Sequence, residues 1–183
     1  MSPGATAVAG VADADPEAVA RAICLRLLTD RAYTRRELAQ ALARKRVPAD
    51  AVAAVLGRFD EVGLIDDQAF AEQWVRSRHT HRGLGRRALA VELRRKGVAE
   101  EIAGEAVAAL DDESEERRAR ELVERRLRSL RTDTPDLRAA AGRKLVGMLA
   151  RKGYGAGLAY RVVRETLAAR GAEADELHGE PEV

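Results

Sequence analysis

Few side chains in the 183-residue sequence stand at spacings that catalysis or metal binding needs. The three histidines are His79, His81 and His178, and none has a partner His or Cys at a metal-ligand interval. His79 and His81 lie two apart near a helix end, so they point to different sides and read as solvent-exposed members of a basic turn. Gly83-Leu84-Gly85 is a weak echo of a phosphate-binding loop, but no strand precedes it and no Gly-Lys-Ser/Thr follows. Carboxylates pair with arginines four residues on, as in Glu121 with Arg125 and Glu124 with Arg128, which is the pattern of ion pairs on a helix surface. The single Cys24 rules out an internal disulfide and a cysteine-cluster zinc site. It shares a face with Ile23 and Leu27 and reads as a small apolar residue. No enzyme activity, metal or cofactor is expected.

Charge is what remains. Residues 76 to 96 carry Arg76, Arg78, Arg82, Arg86, Arg87, Arg94, Arg95 and Lys96 against one acid, Glu92. The next stretch, Ala99 to Glu116, has eight acids and no base, so the whole chain comes out near neutral at +2. A basic patch of this kind grips phosphates by counterion release or meets an acidic protein surface. Arg87 and Arg94 are seven apart and nearly superposed on one helix face, while Leu89 and Leu93 point elsewhere. The acidic block is expected to neutralise part of the patch within the fold.

The elements that hold these charges are helices. Apolar residues make up 46% of the chain but aromatics only 3%, so the core is built from Ala, Leu and Val, which suits small-residue helix packing better than sheet. Three segments align without gaps: "RELAQALARKRV" from Arg36, "RALAVELRRKGV" from Arg87 and "RKLVGMLARKGY" from Arg143. Leu38, Leu89 and Leu145 coincide, as do Leu42, Leu93 and Leu149, and each pair of leucines shares one helix face. Arg44-Lys45, Arg95-Lys96 and Arg151-Lys152 then fall in last helical turns. Cations there complement the helix dipole by about 0.3–1 kcal/mol each. That accounts for these pairs but not for the arginines between 76 and 87.

Start and stop signals frame the units. Asp15-Pro16 and Thr134-Pro135 open helices, and Thr34 with Glu37 forms a capping box. Pro48 opens a helix that Gly63 closes, and Asp66 or Asp67 caps the next, whose stripe is Phe70, Trp74 and Val75. Gly83 and Gly85 precede the Arg87 helix and Gly97 ends it; Ser114 caps a long helix, and a final one ends near Gly171. The expected fold is all-α: three tandem three-helix repeats in an elongated, curved array. The expected domains are a disordered leader at 1–14, repeats at 15–63, 64–112 and 113–171, and an acidic tail at 172–183. Neither a secretory signal nor a membrane-length apolar run is present, so a soluble cytoplasmic monomer is expected.

"LIDDQAFAEQWVRSR" from Leu64, followed by "GRRALAVELRRKGV" from Gly85, resembles the RecX family of RecA-recombinase regulators. The resemblance covers residues 15 to 170 and is strongest from Tyr33 to Val98. It implies three three-helix repeats and binding within the helical groove of the RecA filament on single-stranded DNA. It also implies suppression of RecA's ATP hydrolysis, strand exchange and coprotease activity, which tempers recombination and the SOS response. It brings no catalytic residues. The third unit departs from the second, with Gly147, Met148 and Tyr154 in place of Val91, Glu92 and Val98.

Contacts with the filament, or with phosphates of single- or double-stranded DNA, are therefore expected at Arg76, Arg78, Arg82, Arg86, Arg87, Arg94 and Arg95. Phe70, Trp74, Leu89 and Leu93 are expected in the core. Two other readings stand on the residues alone. One is a helix-turn-helix-like DNA-binding regulator acting without RecA, and the other is a helical scaffold for another protein.

Overall fold

The computed structural model describes residues 15–178, with side chains through Gly171. The expected leader and residues 179–183 of the expected acidic tail lie outside the described residues. Within them there is no strand. The α-helices are α1 Pro16–Asp30, α2 Arg35–Arg44, α3 Ala49–Glu61, α4 Asp67–Ser77, α5 Arg86–Lys96, α6 Glu100–Ala108, α7 Asp112–Leu127, α8 Pro135–Arg151 and α9 Ala156–His178. A single π-turn, Arg78–Arg82, follows α4. The chain divides into two compact units, one through Phe70 and one from Ala71.

In the first unit, capping sets the helix starts. Asp15 accepts from the Glu17 N–H at 3.0 Å with Pro16 at the first helical position. Thr34 Oγ1 accepts from the Glu37 N–H at 3.1 Å while Glu37 Oε2 accepts from the Thr34 N–H at 3.2 Å, so two orphan donors are satisfied reciprocally. The two aspartates after Ile65 divide their work. Asp66 caps its own helix by accepting from Ala69 N at 2.8 Å, whereas Asp67 Oδ1 accepts from Arg35 N, the first N–H of α2, at 2.9 Å. Leu38, Leu42, Ala20 and Cys24 are fully buried with Val55, Leu56, Phe59 and Ile65. Burial pushes the Cys24 thiol above its ordinary pKa, as befits an inert core residue.

In the second unit, α7, α8 and α9 enclose Val123, Leu145, Leu149, Val162 and Tyr154. Two boundaries differ from the sequence expectation. Asp111, not Ser114, caps α7: its carboxylate accepts from the Ser114 N–H at 2.7 Å, so the helix begins at Asp112. The same bond holds the Asp111 carboxyl below its ordinary pKa. The last helix does not end near Gly171 but runs to His178. Gly inside a helix costs only about 1 kcal/mol, and the Ala, Glu and Leu that follow are good helix formers.

The three aligned segments end in the same backbone device. Arg46, Gly97 and Gly153 take the left-handed conformation, at φ 59°, 82° and 88°. The next residue's N–H reaches back to the second leucine of its segment: Val47 to Leu42 O at 3.2 Å, Val98 to Leu93 O at 3.2 Å, and Tyr154 to Leu149 O at 3.1 Å. Arg46, Gly97 and Gly153 themselves donate to the carbonyls three residues back. This is a Schellman termination repeated three times.

Candidate basic interaction surface on the second repeat

Glu92, the lone acid of the basic stretch, is the pin of the surface. Its carboxylate accepts from the Trp74 indole N–H at 2.9 Å and lies 3.4 Å from Arg78 Nε and 3.3 Å from an Arg82 nitrogen. The Arg78 guanidinium stacks over the Trp74 ring at 4.0 Å, and the Lys96 ammonium lies 4.7 Å from the same ring centre. One ring and one carboxylate thus gather three cations and tie α4 to α5. Trp74 is half-buried, so the core expectation fails for it; Phe70, Leu89 and Leu93 are buried as expected. The indole is drawn to the surface because its N–H and ring face are both in use there.

The seven arginines separate into three kinds. Arg76, Arg87, Arg94 and Arg95 are exposed and have no ion-pair or hydrogen-bond partner for their side chains among the described residues. Arg78 and Arg82 are held by Glu92 and remain partly accessible, at 31% and 56% of their side-chain surface. Arg86 turns inward. Its guanidinium meets Asp112 at 2.6 Å, Glu115 at 3.1 Å and the carbonyl of Leu110, while its own N–H donates to Glu115 Oε1 at 3.1 Å. Glu115 is only 6% exposed, so this pair is a structural corner. Of the seven, only Arg86 pairs with the acidic block. Other acids of that block bind later arginines, as in Glu113 with Arg117 and Glu116 with Arg120 and Arg161.

The Gly83-Leu84-Gly85 loop joins two repeats. The Gly85 N–H donates to Lys152 O at 2.8 Å and the Arg87 N–H to Gly153 O at 3.1 Å. A Cβ on Gly85 would lie 2.9 Å from Gly153 backbone, so only glycine permits this approach. The π-turn before it, together with Gly83, offers bare carbonyls to the third repeat. Arg118 donates to Thr80 O, Lys152 Nζ to Arg82 O at 2.7 Å, and the buried Tyr154 hydroxyl to Gly83 O at 3.2 Å. Burial, reinforced by the charges of Arg125, Arg118 and Arg82, holds the Lys152 ammonium below its ordinary pKa. Desolvation pushes the Tyr154 phenol up, so its proton stays in place. His79 is buried, not exposed as expected, with Nδ1 2.9 Å from Leu84 O; His81 is exposed.

Arg118, Arg125 and Lys152 were not singled out as site residues in the sequence, although Lys152 donates to Arg82 O and lies within the field of Arg82, Arg118 and Arg125. Only the aligned Arg-Lys pair at 151–152 hinted at them. Among the described residues no group of three His, Cys, Asp or Glu is placed to hold a metal ion. None of the described helices is long and apolar enough to cross a membrane.

Comparison with known proteins identifies the family and the fold. The profile described as the RecX first three-helix domain matches residues 20–59, and that of the RecX second three-helix domain matches residues 66–107. Regulatory protein RecX of Thermobifida fusca is 55% identical over 161 residues, covering 88% of this chain and 85% of that protein. The namesake from Streptomyces coelicolor is 54% identical over 166 residues, covering 91% and 87%. A crystal structure of RecX from Lactobacillus salivarius superposes with a TM-score of 0.77 at 20% identity, covering 83% of this chain and 97% of that one, which speaks for the fold. The chain is a member of the RecX family of regulatory proteins.

Proposed function

We propose that the chain regulates a RecA recombinase by binding its filament on single-stranded DNA, and that it suppresses ATP hydrolysis, strand exchange and coprotease activity there, damping recombination and the SOS response. The observation that carries the reading is the set of exposed, unpartnered arginines, Arg76, Arg87, Arg94 and Arg95, on a frame that Trp74 and Glu92 make rigid. These four give up no existing ion pair when they meet an acidic surface or phosphates, while Arg78 and Arg82, already held by Glu92, lose little side-chain entropy there. Arg78 and Arg82 join the contact face, and Arg86 supports it from within. In this reading the protein performs no chemistry of its own and acts as a cytoplasmic monomer.

The test is DNA-dependent ATP hydrolysis by the matching RecA, titrated with wild-type protein and with Arg87→Glu/Arg94→Glu. Wild type is expected to inhibit below one protein per RecA subunit, with potency falling at least ~10-fold in the variant while helicity and melting stay unchanged. Equal potency of the two proteins refutes the surface assignment. No inhibition by wild type, with binding to bare duplex DNA intact, favours a DNA-binding regulator acting alone.

A further inference from the structure

The third repeat carries a surface that the basic patch does not use. Helices α8 and α9 leave between them a cleft of about 1020 Å³. Its floor is aliphatic and small: Ala139, Gly142, Val146, Val163, Leu167 and Ala168. Among the described residues, three exposed arginines, Arg138, Arg143 and Arg164, stand around it, no acid lines it, and none of the three side chains has a partner. Tyr160, 64% exposed, marks one end and Gly171 the other. Along α9 that span is about 17 Å, three turns of helix.

From this we infer that the α8–α9 cleft is a docking groove for an amphipathic, acid-flanked helix of a partner protein. The dimensions suit it. A guest helix of about eleven or twelve residues fills the length, and the small residues let its apolar face approach closely, as in helix-in-groove recognition. Charge decides between occupants, because cations without acids favour carboxylates along the guest's flanks.

A second copy of the chain is disfavoured, since the same face on a partner brings arginines against arginines. The chain's own residues beyond Gly171 continue helix α9, and a peptide of them is a competitor to be tested against the groove. A nucleic-acid strand is disfavoured because single-strand platforms stack bases on successive aromatic rings, and here Tyr160 is the one ring among aliphatic neighbours. The inference stands apart from the recombinase reading, since no lining residue belongs to the second-repeat patch.

The test uses the full chain, methyl-labelled at Val, Leu and Ala, and two synthetic peptides. Both peptides carry a leucine face at helical spacing; one is flanked by Glu and its twin by Lys. The Glu peptide is expected to bind saturably and shift the methyls of Val146, Val163 and Leu167, with the Lys twin at least ~10-fold weaker. Arg143→Glu/Arg164→Glu is expected to invert that order, and Ala168→Glu, at an exposed floor position, to weaken the Glu peptide without touching an arginine. The inference is overturned by absence of saturable binding, by equal affinity for the twins, or by shifts confined to other surfaces. It is overturned equally if a peptide of residues 172–183 or a single-stranded oligonucleotide displaces the Glu peptide, or if sedimentation shows dimers that Ala168→Glu abolishes.

Discussion

Replacing Gly153 by alanine should unfold more of the second unit's stability than any other single methyl. The residue sits at φ 88°, and a Cβ there would lie 2.3 Å from Ala88 N, 2.5 Å from Ala88 Cβ and 2.9 Å from Ala88 Cα. The left-handed backbone costs alanine about 1–2 kcal/mol, of which about 0.4–1 returns through a less entropic unfolded chain. Relieving the clash means driving the start of α5 away from the α8–α9 turn, an overpacking cost of about 1–3 kcal/mol. It also stretches the Gly85–Lys152 and Arg87–Gly153 backbone bonds, now 2.8 and 3.1 Å, worth about 0.5–1.5 kcal/mol each. Together the loss is about 2–8 kcal/mol.

Urea denaturation followed by Trp74 fluorescence reads it, because the chain's single tryptophan lies in the second unit. Gly157→Ala is the control. It lies in the first turn of α9 with nothing within 4 Å of the added carbon, and should gain about 0.5–1 kcal/mol. A Gly153→Ala protein within about 1 kcal/mol of wild type would refute the claim that this joint is rigid and close-packed.

Two further outcomes follow from single residues. Arg46 is the one non-glycine at the left-handed position shared by the three repeats, and its side chain is exposed. Arg46→Gly should raise the first unit's stability by about 0.5–1 kcal/mol in denaturation followed by circular dichroism, and a loss instead would show that the side chain matters. Glu116 bridges α7 to α9 through Arg161 and Arg120, whose hydrogen bonds hold its carboxyl below the ordinary value of 4.5. A depressed carboxylate contributes stability that is full above its unfolded pKa and lost as pH falls through the folded one. Wild type should therefore melt higher than Glu116→Gln near neutrality, and the gap should close as pH falls below the ordinary carboxylate range. A gap that is constant across the acid range contradicts the assignment.

The helices and their repeat were legible because both are local signals. Leu38, Leu42, Leu89, Leu93, Leu145 and Leu149 are each fully buried, as their spacing requires. The Thr34–Glu37 box was readable for the same reason. Trp74 was misassigned to the core because its partners, Glu92 and Lys96, come from the next helix. His79 was misread because it sits in a π-turn that no periodicity announces, which turns its ring toward the carbonyl of Leu84. Arg86 looked like its exposed neighbour Arg87 until the fold brought Asp112 and Glu115 to it. Charge runs along a sequence show where basic residues concentrate, but only tertiary structure shows which of them are already spent.

The π-turn between α4 and α5 divides labour between backbone and side chains. What Arg118, Lys152 and Tyr154 grasp at positions 80, 82 and 83 is carbonyl oxygen, which every amino acid supplies. The mortise that receives the third repeat is therefore nearly indifferent to the side chains at Thr80 and Arg82, while the tenon side is not. Mutational drift can retune the charge displayed on this segment at little cost to architecture. A lineage adapting to a partner with a different surface has room to do so here, without first re-solving how its repeats join.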